Sequence, residues 1–290
     1  MSGAGWRLES RIGLALVLAA AATALLAPWI APYDPLAVDL SRKLAPPSAL
    51  HWMGTDQTGR DILSRIIWGA RPSLTVGLLA VAIGLTGGIA LGVSAGVVRG
   101  FWEQAAMRTV DGLAAIPMLI WAIAVVGIVG VGPVPVGPWL LPNESKIILL
   151  VGILYIPPLA RVTYGGALVE GQADYVRARR MQGASRLSIM FGDVLPNCLS
   201  PVIVQATLLI GVGIVVEASL SFVGLGVEPP NPSWGGMLAD ARKYIFSGEW
   251  WTYVFPGLAI SLSVIGFNLL GDALRELLDP RSAASLSMVA

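Results

Sequence analysis

The 290-residue chain contains one cysteine, Cys198, one histidine, His51, and three lysines, Lys43, Lys146 and Lys243. Each scarcity closes off a chemistry. A lone cysteine excludes an intrachain disulfide, and one His with one Cys excludes zinc and iron sites built from several such ligands. Only oxygen-ligand metal sites stay open, and no catalytic or metal-ligating residue is nominated. His51 has no second histidine and no nearby Ser–Asp arrangement for a triad, so it reads as a surface residue. None of the three lysines follows a glycine. The Gly-Lys-Ser/Thr of a phosphate-cradling loop is therefore missing, and the chain cannot hold a nucleotide through that motif. Charge is scarce too, at 13% of residues, where a soluble domain carries about 25%. With 55% hydrophobic residues and a mean hydropathy of +0.73, the composition places the chain in a membrane. The net charge of +1, with no large basic face, gives no footing for nucleic acid.

Six apolar runs approach the roughly 20 residues needed to cross about 30 Å of hydrocarbon. They cover residues 12–31, 73–98, 113–132, 147–168, 202–222 and 252–271. Each is expected to be a helix, because a lone strand would leave its backbone unpaired in lipid. The first run has a rival reading as a signal peptide, with Arg7 and Arg11 before it and Ala22-Thr23-Ala24 as a cleavage site. The apolar run continues past that site to Ile30, which favours a retained helix. With the N-terminus inside, 11 of the 19 Lys and Arg fall on inner segments, a bias that places both termini in the cytoplasm.

Three pieces follow: residues 1–72 as a first helix and outer loop, 73–280 as a core of five helices, and 281–290 as a cytoplasmic tail. In the outer loop, Ile62, Leu63, Ile66 and Ile67 share a helical face. They predict a short helix lying on the outer surface, which leads into the second span through Gly69–Ser73. Pro117 should kink the third span near its inner end. Between residues 224 and 250, Trp234, Met237, Leu238, Ala241 and Ile245 recur at helical spacing, which predicts a second surface helix or a plug over the outer mouth. Trp250, Trp251, Tyr253 and Phe255 form an interfacial belt.

The stretch Ala173–Pro201 organises the rest. It holds the densest basic cluster, Arg177, Arg179, Arg180 and Arg186, between two spans. Asp174 is a plausible N-cap for a helix over Tyr175–Gln182. Gly183 permits a left-handed turn, Ser185 can cap a second short helix, and Leu195-Pro196 should stop it. A short helix with charge on several sides is marginal alone and usually bridges to another body. This cytoplasmic pair, between the fourth and fifth spans, therefore reads as a docking element for a soluble partner. Within the spans, Glu217 stands out: a carboxylate there costs about 2.5–3.5 kcal/mol on insertion scales and must face protein or water. It is either a packing hydrogen bond or a polar contact along a path through the membrane or at an interface with a partner. Asp111 and Pro117, at the inner start of the third span, are grouped with it.

Four stretches, in order, carry a resemblance: Gly54–Arg65 followed by Gly69–Leu74, Tyr175–Gly183 with Leu195-Pro196, Glu217–Gly226 with Pro229-Pro230 and Pro232–Gly235, and Gly271–Pro280. The chain resembles the permease subunits of bacterial ATP-binding-cassette importers, and is most similar to the C-type permease of dipeptide and oligopeptide systems. The resemblance implies an all-α polytopic protein of the bacterial inner membrane, with six transmembrane helices and a cytoplasmic coupling helix. Asp174, Tyr175, Val176, Arg177, Ala178, Arg179, Arg180, Gly183, Ala184, Ser185 and Arg186 would meet the ATPase. Asp56, Arg60, Asp61, Arg65 and Trp234 would lie in loops facing the binding protein. Implied partners are a B-type permease, two ATPase subunits, an extracytoplasmic substrate-binding protein and membrane lipid. No cofactor is expected in this chain, with ATP and magnesium on the ATPases. The pattern departs at Arg177 and Arg179, where the signature has Glu and Ala. Relatives of this kind also import nickel, opines and oligosaccharides. An ion-coupled secondary transporter is the alternative class, without the inverted repeats that class often shows.

Overall fold

A computed structural model describes residues 8–130, 132–136 and 138–278. The tail 281–290, together with Arg7 and Arg281 of the charge argument, lies outside the described residues. Among the described residues five helices are long and apolar enough to cross a membrane: α1 (Leu8–Ile30), α2 (Ile62–Val98), α5 (Asn143–Glu170), the run through α8 (Leu195–Phe222), and α10 (Trp251–Leu278). α3 (Phe101–Ala114) and α4 (Met118–Val129) pass the same test of length and apolarity only as a pair and meet at 82°, so they form either one broken span, the sixth, or a re-entrant loop. This differs from a single kinked span with a short loop before it. Pro117 lacks an N–H and drives Ile116 out of the helical region, so the chain restarts at Pro117, the N-cap of α4. Between α4 and α5, Val134–Val136 pairs antiparallel with Trp139–Leu141, a small hairpin (β1 and β2) between the third and fourth apolar runs.

The expected surface helix at Ile62–Ile67 is instead the first two turns of α2, which runs 37 residues without a break and includes Pro72. Packing overrides the local breaker. Gly69 lies against Trp234, and the Arg71 guanidinium sits 4.7 Å from the Trp68 ring centroid while its Nε donates to the Ala24 carbonyl of α1 at 2.7 Å.

The core lies between α2, α5 and α8, around Val76, Val151, Tyr155, Leu159 and Leu220. What lets α2 approach α5 is a ladder of glycines every fourth residue: Gly84, Gly88, Gly92 and Gly96. A Cβ on Gly88 would come within 2.6 Å of the Leu159 Cβ, and one on Gly84 within 2.5 Å of the Tyr155 Cβ. Small residues at this spacing drive helix association in lipid because the backbones can touch. Gly88→Leu is therefore expected to destabilise the helix pair by about 1–3 kcal/mol or more through overpacking. Gly112→Ala, where an added Cβ meets nothing within 4 Å, should be neutral or stabilising. Thermal unfolding in detergent compares the two.

α1 lies along α10, with Gly13 against Leu269 and Gly266 against Leu16 and Val17. Its helix continues through Ala22–Ala24 to Ile30. Two short helices follow α5: α6 (Asp174–Met181) and the three-residue α7 (Arg186–Ser188). A wide π-turn over Ile189–Val194 then joins α7 to α8. Leu195-Pro196 thus stops nothing. Pro196 lies directly after the π-turn, in the first turn of α8. On the opposite side of the bundle, α9 (Trp234–Ala241) packs on α8 and α10.

Candidate functional site

The α6 turn is built as follows. Ala173, not Asp174, is the N-cap, and Asp174 lies in the first turn, where its charge suits the helix dipole and pairs with Arg177 at 3.3 Å. The C-terminus closes on two bonds: Gly183 N–H donates to the Arg180 carbonyl and Ala184 N–H to the Arg179 carbonyl, both at 3.1 Å. This is a Schellman closure, which needs a left-handed residue after the cap. Gly183 supplies it with φ +79°. Ser185 then caps α7, its Oγ accepting from Ser188 N–H at 3.2 Å. A chain reversal of fixed geometry results from two sequence-legible residues, Gly183 and Ser185.

One side of α6 is anchored. Val176 is fully buried among Val93, Val97, Ala167, Ile189 and Val194, a burial worth about 1.5–3 kcal/mol. The Tyr175 hydroxyl donates to Glu170 Oε2 at 2.6 Å and accepts from Asn197 Nδ2 at 3.0 Å. Partial burial, then the hydrogen bond to Glu170, push the Tyr175 phenol up to about 12, so it keeps the proton it donates. Arg179 reaches Asp193 at 3.3 Å and Ser188 Oγ at 3.2 Å. The departure from alanine at this position thus has a local partner. The other side is open: Arg177, Arg180, Gly183 and Arg186 are exposed, as are Met181 at 84% and Leu187 at 64%. Ala184 and Ala178 are half-covered at the turn. Two large apolar side chains in a ring of guanidiniums suit a covering protein surface. Met181 and Leu187 were not among the residues picked from the sequence. Their signal was apolarity next to the turn, which the arginines overshadowed.

The outer-loop residues are placed differently from expectation. Asp56, Arg60, Asp61, Arg65 and Trp234 are all buried, as is His51, so none presents its side chain outward. Asp61 is the N-cap of α2: Oδ2 accepts from Ser64 N–H at 2.8 Å and Ser64 Oγ at 2.7 Å, while Oδ1 lies 2.9 Å from His51 Nδ1. Asp56 takes Arg60 Nε at 2.6 Å and lies 3.5 Å from Arg65 Nε, and Arg60 reaches Asp240 in the last turn of α9 at 3.5 Å. Arg65 donates to the carbonyl of Pro35 at 3.1 Å, and Trp234 Nε1 to that of Ile66 at 3.0 Å. The polar pattern read as outward-facing is thus the mortar between loops 32–61 and 224–250. Hydrophilic residues bunched before a span look exposed in sequence, and only their mutual pairing turns them inward.

Glu217 is fully buried. Ser73 Oγ of α2 donates to its Oε2 at 2.8 Å and Ser221 Oγ to its Oε1 at 2.7 Å. Within this chain the carboxylate makes packing hydrogen bonds that join α2 to its own helix. Asp111 and Pro117 are exposed on the α3–α4 corner, where Asp111 accepts from Arg161 at 2.7 Å. Among the described residues no group of His, Cys, Asp and Glu is disposed to hold a metal.

Comparison with known proteins fits this arrangement. Residues 88–283 match the family of binding-protein-dependent transport system inner membrane components, and residues 10–47 match the N-terminal transmembrane domain of oligopeptide transport permease C. The chain is 44% identical over 275 residues to a di/tripeptide transport system permease protein of Pseudomonas aeruginosa, covering 93% of this chain and 87% of that one. It is 41% identical over 260 residues to a probable D,D-dipeptide transport system permease protein of Escherichia coli, covering 90% and 83%. It is 41% identical over 266 residues to a glutathione transport system permease protein of Pectobacterium atrosepticum, covering 91% and 84%. The family match includes α6, Gly183 and the anchoring face of Val176, and the chain therefore belongs to the binding-protein-dependent transport system inner membrane components, as a multi-pass protein of the inner membrane.

Proposed function

We propose that the chain is the C-type permease of an importer for di- and oligopeptides, working as one half of a heterodimer with a B-type permease. Both termini and the α6–α7 turn lie in the cytoplasm, where two ATPase subunits bind ATP and magnesium. An extracytoplasmic binding protein delivers substrate to the outer face. The observation that carries this reading is the α6 turn: fixed by Gly183, anchored by Val176 and Tyr175, and apolar at its exposed tip. Such an element transmits force from a soluble motor without making any bond to nucleotide itself. ATP-dependent closure of the ATPases moves α6, and the helices rock between inward- and outward-facing states. ATP drives this only by favouring one state over the other. The peptide substrate is supported by the names of the similar permeases.

The test is purification of the tagged chain from cells that carry its neighbouring genes, followed by reconstitution. Two ATPases and a second permease should co-purify, and labelled dipeptide uptake should need ATP and the binding protein. Uptake by this chain alone in ion-loaded vesicles would overturn the reading in favour of ion coupling.

A further inference from the structure

A polar cavity of about 240 Å³ lies at the outer end of α8, on the side of the bundle opposite the coupling turn. Three separate stretches build it: Gln57 from the outer loop, Phe222 from the last turn of α8, and Asp240, Arg242, Lys243 and Tyr244 from the end of α9 and the tight turn Arg242–Tyr244 that follows. Its charges are of both signs and are held apart. Arg60, itself buried, reaches Asp240 Oδ2 at 3.5 Å and steadies the carboxylate, whose side chain stays 45% exposed. Neither Arg242 nor Lys243 pairs with Asp240, and among the described residues neither basic side chain has a hydrogen-bond or ion-pair partner. The Gln57 amide and the Tyr244 hydroxyl, on half-buried residues, likewise make no hydrogen bond to the described chain. The cavity therefore offers an anion, two cations and two neutral polar groups, with an apolar wall at Phe222. Polar groups that converge on a formed cavity mark a small-molecule site.

We propose that this cavity is the entry site for the substrate, a short zwitterionic peptide. Asp240 takes the terminal ammonium, and Arg242 and Lys243 take the terminal carboxylate. Gln57 and Tyr244 serve the peptide bond between them, and Phe222 covers one side chain. The size agrees. Drug-sized ligands fill about 300–1,000 Å³, and a cavity just below that range suits two or three residues, whose extended backbone runs about 7–11 Å. Recognition by the two termini leaves the peptide side chains free, so one site accepts many sequences. A peptide that lacks either terminal charge leaves part of the site unmatched. This inference rests on the importer reading, and adds to it the groups by which the permease first holds its cargo.

The experiment uses the assembled transporter in nanodiscs, without binding protein, and three probes: dialanine, N-acetyl-dialanine and dialanine amide. Binding is read by saturation-transfer NMR. The wild type should bind dialanine about two- to fivefold more tightly than either blocked form, the scale of a partly exposed ion pair. Asp240→Asn should bind dialanine and its N-acetyl form alike, while still discriminating against the amide. Arg242→Gln/Lys243→Gln should do the reverse. If Asp240→Asn loosens the outer loop through Arg60, the double variant, whose side chains hold nothing else in the described chain, decides alone. Equal binding of the three probes by the wild type overturns the proposal, as does discrimination unchanged by the variants. A loss equal for all three probes overturns it too, since the fold and not the termini would then be at fault. So does weaker capture of the binding protein with dialanine affinity intact, which would make the cavity a docking face. In proteoliposomes of the same protein, absence of ATP-driven peptide uptake by the wild type brings down the importer reading and the site with it. Normal uptake without discrimination in nanodiscs brings down the site alone.

Discussion

Peptide uptake by Gly183→Val is expected to fall roughly 5- to 30-fold, with the protein still inserted and its ATPases still turning over. The left-handed conformation costs an ordinary residue about 1–2 kcal/mol, and that range corresponds to a factor of roughly 5–30 in a two-state population. A β-branched side chain sits at the upper end. The position makes the test clean. At φ +79° an added Cβ meets nothing within 4 Å, so the penalty is backbone strain and not collision. Gly183→Asn should therefore keep most of the uptake, because asparagine tolerates the left-handed region. Uptake and ATP hydrolysis in the same proteoliposomes decide the matter. Equal loss in both variants would mean that the side chain, and not the turn, is at fault.

Glu217→Ala is expected to lower stability by about 2–4 kcal/mol, the combined effect of a buried cavity and unmatched hydroxyls. The carboxylate is the common acceptor for Ser73 of α2 and Ser221 of its own helix, and Ser221 Oγ in turn accepts from Val227 N–H at 3.1 Å in the 224–250 segment. Its loss therefore loosens the two helices and that segment together. Glu217→Gln keeps the volume and one acceptor oxygen, and should recover most of the stability. Thermal unfolding of the purified complex, with the outer loops probed by limited proteolysis, would show it. In the alanine variant the 224–250 segment should become cleavable before the bundle unfolds. Unchanged protection would mean that Trp234 and its bond to Ile66 hold α9 unaided.

The sequence made the spans readable because lipid demands long apolar helices, and made the coupling turn readable because a left-handed glycine followed by a capping serine is a local device. Gly183 and Ser185 took those places, and Asp174 missed the cap by a single residue. Several of the failures concern residues whose role is set by a pairing that a linear reading does not show. Gly69 through Pro72 looks like a break until Trp234 and α1 are packed against it. Asp56, Arg60, Asp61 and Arg65 look solvated until they find one another. The glycines at 84, 88, 92 and 96 recur with a period of four that the sequence reading passed over. Only the neighbouring helix, with Tyr155 and Leu159 at its surface, gives that period a direction.

The π-turn has a mechanical consequence. By joining α7 to α8 without interruption, it makes a single helical beam of 37 residues from Arg186 to Phe222, about 55 Å long at 1.5 Å per residue. Glu217 pins this beam near its far end. With the pivot there, a tilt of only about 5° swings the tip at Arg186 by about 4 Å, given the roughly 46 Å between them at that rise. A small angular adjustment beneath the outer loops is thus geared to a stroke the size of a side chain at the cytoplasmic surface, and the same gearing works in reverse.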